Sequence, residues 1–138
     1  VGASQQKVAL MRRFGEAVGM AFQIQDDILD YTRTAHTGKP ANNDLREGKI
    51  TLPLLAVLDK APAERRTELL GRLACCHDDE ESVEYLQRTV ENEGGLTFAA
   101  EVMRSYIARA VEMLSEYEAS DYRTALANLC AYIAERDR

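Results

Sequence analysis

The sequence predicts an all-α fold, a helical bundle, from two observations. The chain has only three prolines in 138 residues, and they fall at the boundaries of the predicted segments, where proline interrupts no helix. Before the first of them, apolar residues from Leu10 to Tyr31 recur at alternating spacings of four and three, which is the period of an amphipathic helix. At this length one domain is expected, so residues 1–138 are predicted to form a single helical domain or a fragment of one.

Six helices are predicted in order along the chain. The first runs from Gln5 to about Tyr31 and carries an unbroken apolar seam. The seam consists of Leu10, Phe14, Ala17, Ala21, Ile24, Ile28 and Tyr31. After a polar loop over 34–48, the other predicted helices cover about 52–60, 62–76, 78–95, 96–117 and 121–136. The acidic run 78–81 is interpreted as the start of its helix, where negative charge favours the helix dipole, rather than as a metal site.

Several classes of protein fit the composition poorly. The net charge of −6 comes without a basic stripe, which argues against a nucleic-acid-binding protein. The longest apolar run, 50–58, is too short to span a bilayer and contains Pro53. The cysteines are three in number, with no CxxC pair, and they fit a reducing, cytoplasmic compartment. The chain starts at Val1 rather than at methionine, as expected of a piece cut from a longer protein.

A polar arc lies at the end of the first predicted helix. Four polar side chains share an arc of about 100° when successive residues turn by about 100°; they are Gln23, Asp26, Asp27 and Asp30. Apolar residues border the arc on both sides, so the carboxylates are predicted to face a cavity between helices. Like charges repel strongly there, and the aspartates must bind protons or a cation. Oxygen ligands select hard cations such as Mg²⁺. The alternative is a solvated helix face.

The loop that follows favours the metal interpretation. Lys39 and Lys49 are long cationic side chains suited to diphosphate oxygens. Gly38 permits close approach of the backbone, and Asp44 can join the water shell of a metal ion. Each lysine taken alone is more simply a solvated side chain. Together, after an aspartate-rich helix, they predict a site for a divalent metal and a diphosphate.

The segment from Phe22 to Thr51 resembles the second aspartate-rich region of the trans-isoprenyl diphosphate synthases, or polyprenyl synthetases. The shared pattern is FQ-x-x-DD-x-x-D, then GK, then the aspartate of an NDL segment, then GK-x-T, and all four elements are present. One departure is Asn42, where members often have glycine; asparagine also tolerates a positive φ. The resemblance extends through 94–95 to the end of the chain.

The resemblance implies a transferase of isoprenoid biosynthesis, which condenses isopentenyl diphosphate with an allylic diphosphate and depends on Mg²⁺. The implied metal-binding residues are Asp26, Asp27, Asp30 and Asp44. Lys39 and Lys49 are implied to hold the allylic diphosphate, and Gln23 to line the site near the reacting carbons. The residues implied to act on the leaving group in catalysis are Asp26, Asp27, Lys39 and Lys49.

The resemblance also implies a missing half. Members carry a first aspartate-rich motif and the basic residues for isopentenyl diphosphate on upstream helices, and neither is present here. The chain is therefore expected to be the C-terminal half of an isoprenoid-synthase-type fold, inactive alone and prone to form a homo-oligomer. Two other classes stay open: a non-catalytic partner or regulatory subunit of a heteromeric synthase, and a helical interaction module.

Overall fold

The computed structural model describes residues 4–32 and 41–135, and in these ranges every regular element is helical. Seven helices follow in order: α1 (Gln5–Thr32), α2 (Asn43–Arg46), α3 (Leu52–Lys60), α4 (Ala63–Cys75), α5 (Glu80–Asn92), α6 (Gly95–Leu114) and α7 (Asp121–Glu135). This confirms the all-α prediction. Within the described ranges, no helix combines the length and the apolar character that crossing a membrane requires.

The helix boundaries agree closely with the pattern of the sequence. Helix α3 has its predicted bounds, with Pro53 in its first turn. Helix α5 begins at the acidic run, where the side chain of Asp79 accepts a hydrogen bond from the backbone N–H of Glu81. This confirms the acidic run as a helix start. The prediction of an unbroken polar loop over 34–48 was wrong at α2, a single turn too short to show a period of its own.

The chain divides into two compact units, Val1–Gln25 with Glu101–Arg138, and Asp26–Ala100. The prediction of a single domain stays a prediction. In the first unit the predicted seam residues from Leu10 to Ile24 are buried. There the backbone carbonyl of Lys7 accepts a hydrogen bond from the hydroxyl of Tyr117 at 2.7 Å, which fixes the start of α1.

The second unit has a core built from the end of α1 and from α2 to α5. The fully buried side chains include Tyr31, Leu45, Leu54, Leu69, Val83, Leu86 and Val90. At the start of α6 a Cβ on Gly95 would lie 2.3 Å from the carbonyl oxygen of Pro53. The absence of a side chain at Gly95 therefore lets α6 approach α3 closely. This core lies under the polar end of α1.

Candidate functional site

The last two turns of α1 carry three aspartates in different environments. Asp26 and Asp27 are half-buried, whereas Asp30 is only 6% exposed. Tyr31, next to Asp30, is buried in the core. The acidic end of the helix is therefore anchored on one side and accessible on the other. The predicted cavity between helices stays a prediction.

The carboxylate of Asp30 is bonded to the backbone of the turn that precedes and begins α2. Its Oδ1 accepts from the N–H of Asn43 at 3.2 Å, and its Oδ2 accepts from the N–H of Asp44 at 2.9 Å. The backbone carbonyl of Asp30 accepts from the N–H of Asn42 at 2.7 Å. Sequence reasoning treated Asp30 only as a metal ligand and gave no sign of this contact, because residues 30 and 43 are distant in sequence.

Asn42 starts the turn in a left-handed conformation, with φ 65° and ψ 31°. This confirms that the position requires a residue tolerant of positive φ, which glycine and asparagine both are. Asparagine adds a contact that glycine cannot make, because its Nδ2 donates to Oε1 of Gln87 on α5 at 2.7 Å. The turn is thereby tied to α5 as well as to α1.

Asp44 and Lys49 come together across the short helix α2. The N–H of Lys49 donates to the backbone carbonyl of Asp44 at 2.8 Å, and Gly48 makes the reversal with φ 73°. The Nζ of Lys49 lies 2.7 Å from Oε2 of Glu47, a hydrogen-bonded partner that raises the lysine pKa. Lys49 is therefore an exposed cation beside Asp44, as the predicted diphosphate site requires.

Burial and electrostatic repulsion together mark Asp27 as the most perturbed carboxyl of the acidic group. Burial, followed by the charges of Asp44, Asp26 and Asp30, raises the pKa of Asp27 to about 6. Burial and the charge of Asp30 also raise the pKa of Asp44, against the opposing effect of Lys49. The negative charge is more than the surroundings neutralise, so a proton or a metal ion binds favourably here. The sequence argument reached the same choice between proton and cation.

Two buried hydroxyl groups near this site were not anticipated. Neither the hydroxyl of Tyr31 nor Oγ1 of Thr51 has a hydrogen-bond partner that meets normal geometry among the described residues. Burial and the charges of Asp30 and Asp44 raise the pKa of Tyr31 well above its ordinary value. Tyr31 was predicted as an apolar seam residue, and its ring is indeed in the core. Its hydroxyl stays a neutral donor close to the acidic group.

The roles of two predicted site residues stay predictions. Lys39, with Gly38, lies outside the described residues. Gln23 is exposed and belongs to the other compact unit, so its role rests on the resemblance alone. Within 4–32 and 41–135, no three acidic, histidine or cysteine side chains are already arranged to hold a metal ion. The oxygen donors still suit Mg²⁺, which uses few carboxylates and takes its other ligands from water and phosphate.

Known proteins match the aspartate-rich motif and most of the rest of the chain. The family model described as polyprenyl synthetase matches residues 1–92. A short chain isoprenyl diphosphate synthase from Methanothermobacter thermautotrophicus is 34% identical over 137 residues, covering 99% of this chain and 42% of that protein. An all-trans-nonaprenyl-diphosphate synthase, described as geranyl-diphosphate specific, from Rhodobacter capsulatus is 39% identical over 127 residues, covering 91% and 38% respectively.

A solved structure agrees with these sequence relatives. The polyprenyl synthase from Caulobacter crescentus, crystallised with calcium and isoprenyl diphosphate, superposes with a TM-score of 0.85 at 31% identity. The match covers 99% of this chain and 42% of the Caulobacter crescentus chain. The chain thus spans less than half the length of these proteins, in sequence and in structure.

Proposed function

Because the chain belongs to the polyprenyl synthetase family, we propose that it supplies the second aspartate-rich site of a prenyltransferase. The proposed reaction is the Mg²⁺-dependent condensation of isopentenyl diphosphate with an allylic diphosphate. The observation that supports it most is electrostatic: a half-buried carboxyl, Asp27, is surrounded by three other carboxylates and has its pKa raised to about 6. An exposed lysine, Lys49, stands beside one of them.

The acidic group and the lysines have complementary tasks in this proposal. Asp26, Asp27 and Asp44 would hold Mg²⁺, and the set of ligands implied by the resemblance also includes Asp30. Bound magnesium would supply positive charge that stabilises a departing diphosphate. Lys49, and by resemblance Lys39, would bind the diphosphate oxygens directly and remain protonated throughout. Gln23 would line the site near the reacting carbons.

Part of the synthase is expected to come from outside this chain. The relatives are more than twice as long, and the resemblance assigns isopentenyl diphosphate binding and the other aspartate motif to the half that is absent here. We therefore propose that these 138 residues are inactive alone. We also propose that they act in the cytoplasm, in keeping with the free cysteines, and that they assemble into an oligomer through apolar faces such as Met20 and Phe22, both more than 40% exposed.

An isotope assay with reconstitution tests the proposed activity. The chain is incubated with radiolabelled isopentenyl diphosphate, an allylic primer and Mg²⁺, with and without a separately expressed N-terminal half of a relative. We expect no prenyl transfer by the chain alone and Mg²⁺-dependent product after the second half is added. A reconstituted Asp27→Asn variant is the control and is expected to lose at least tenfold in rate, as for other groups that stabilise leaving-group charge. Equal product from this variant would refute the proposed role of the acidic group.

A further inference from the structure

Asp30 differs from the other aspartates in how its oxygens are used. Three consecutive backbone N–H groups, those of residues 42, 43 and 44, all donate to this one residue. Both carboxylate oxygens are engaged, and the side chain is 6% exposed. Asp26 and Asp27, one turn earlier, are half-buried. The acceptor groups of Asp30 thus point to the polypeptide rather than to a ligand.

These bonds determine where Asp44 and Lys49 lie. The N–H of Asp44 donates to Oδ2 of Asp30 at 2.9 Å, and the carbonyl of the same residue accepts from the N–H of Lys49 at 2.8 Å. A short chain of backbone contacts therefore runs from Asp30 through Asp44 to Lys49. Hydrogen bonds to an ionised carboxylate are among the stronger ones in proteins, so this anchor is suited to holding a short turn against a charged ligand.

We propose that Asp30 is a positioning residue, which holds Asp44 and Lys49 in register with Asp26 and Asp27, and that it is not a ligand of the metal ion. The inference rests on the proposed function, because the metal and the diphosphate are what the positioned groups would bind. To coordinate a metal, Asp30 would have to weaken or release the N–H groups of Asn43 and Asp44.

Amide hydrogen exchange, followed by NMR together with calorimetry, separates a positioning residue from a ligand. The probes are Mg²⁺ and inorganic pyrophosphate, added to the 138-residue chain. In the unaltered chain we expect the amides of Asn43 and Asp44 to keep or increase their protection when the probes bind. In Asp30→Asn, which is nearly isosteric but presents one acceptor oxygen, we expect about tenfold faster exchange at these amides and about tenfold weaker pyrophosphate binding, the size of one charge-assisted hydrogen bond.

Asp26→Asn is the matched control, since it makes the same chemical change one turn earlier in α1. It is expected to weaken pyrophosphate binding while the two amides keep their protection. Faster exchange of Asn43 and Asp44 on adding the probes to the unaltered chain would show that Asp30 turns to the metal and would overturn the inference. Unchanged binding by Asp30→Asn would also overturn it, leaving a purely structural role. If the unaltered chain binds no pyrophosphate, the proposed function itself fails.

Discussion

Two acidic clusters lie in the same compact unit and differ in almost every physical respect. The first, here called the helix-end cluster, is formed by Asp26, Asp27, Asp30 and Asp44. The second, the helix-start cluster, is the run from Asp78 to Glu81. Burial and neighbouring carboxylates raise the pKa of Asp27 in the first cluster to about 6. In the second, hydrogen bonds from Ser82 and from the Glu81 backbone lower the pKa of Asp79.

The difference teaches that the environment of acidic residues, rather than their number, identifies a site. The helix-start cluster has more consecutive acids, but it is mostly exposed, and Asp79 caps α5 with bonds of 3.2 Å to the Glu81 N–H and 2.7 Å to the Ser82 hydroxyl. The negative charge of Asp79 is therefore stabilised by these hydrogen bonds. In the helix-end cluster, backbone N–H groups donate to Asp30, whereas burial and neighbouring carboxylates disfavour the negative charge of Asp27. A cation is therefore a natural partner for this cluster.

A substitution at Gly95 should disturb the packing of α6 against α3 in the compact unit that contains both clusters. A Cβ there would lie 2.3 Å from the carbonyl oxygen of Pro53 and 3.0 Å from Val90. Because a backbone atom cannot move aside easily, we expect Gly95→Ala to lower the free energy of unfolding by about 3 kcal/mol. Chemical denaturation measures this.

Gly71 offers the matched control for that substitution. It lies inside α4 with no atom within 4 Å of the position a Cβ would take, so Gly71→Ala should be neutral or stabilising by up to about 1 kcal/mol. Equal losses in the two variants would show that α6 does not need the close approach to α3.

The contributions of the two clusters to folding stability should change with pH in opposite directions. The folded-state pKa of Asp27, about 6, exceeds its ordinary value of 3.8. Its contribution to stability is therefore full below about pH 4 and is lost as the pH rises through 6, an effect on the order of 1 kcal/mol because solvent reaches the group. The lowered pKa of Asp79 contributes stability above its ordinary pKa, which is lost as the pH falls below it.

Denaturation curves at several pH values, run on Asp27→Asn and Asp79→Asn, separate these contributions. The first variant should lose the decline in stability between pH 4 and 6, and the second should lose the decline at lower pH. Since a metal ion competes with the Asp27 proton, pyrophosphate binding with Mg²⁺ should also tighten as the pH rises through about 6. Parallel pH profiles for both variants would contradict the comparison.

Removal of the helix-start cap should affect folding alone. Asp79→Ala deletes the acceptor for Glu81 and Ser82, and we expect Tm to fall by about 3 °C. Pyrophosphate binding should stay within error of the unaltered chain. Scanning calorimetry and titration calorimetry measure the two quantities, and a binding loss as large as that of Asp27→Asn would assign the acidic run to the site.

The smallest effect is expected for the ion pair that links the two clusters. Arg46, at the end of α2, lies 2.6 Å from Oε1 of Glu80 in the helix-start cluster, with both side chains partly exposed. Exposed pairs contribute little, so Glu80→Gln should cost about 0.5 kcal/mol or less, and less still at high salt. A salt-independent loss above about 2 kcal/mol in denaturation experiments would show that the turn depends on this link.

The local features of the fold could be predicted from the sequence, and the contacts between distant residues could not. The bounds of α3 and the acidic start of α5 follow from proline, charge and periodicity within a few residues. The proximity of Asp27 to Asp26 and Asp30 follows from helical spacing, but burial and the charge of Asp44, the two largest causes of its raised pKa, do not. Three other features depend on how the chain folds back and cannot be predicted from a local sequence pattern. They are the hydrogen bonds from Asn43 and Asp44 to Asp30, the Asn42–Gln87 hydrogen bond and the burial of the Tyr31 hydroxyl.

Titration calorimetry of the 138-residue chain with inorganic pyrophosphate, in the presence and absence of Mg²⁺, tests the central claim most directly. Asp27→Asn and Asp79→Asn make the same chemical change in the two clusters and complete the design. We expect Mg²⁺-dependent binding that is weakened at least tenfold by Asp27→Asn, the loss of about one charged contact, and unaffected by Asp79→Asn. Binding that does not depend on Mg²⁺ would contradict the assignment of the helix-end cluster as a metal and diphosphate site. An equal loss of binding in the two variants would contradict it as well.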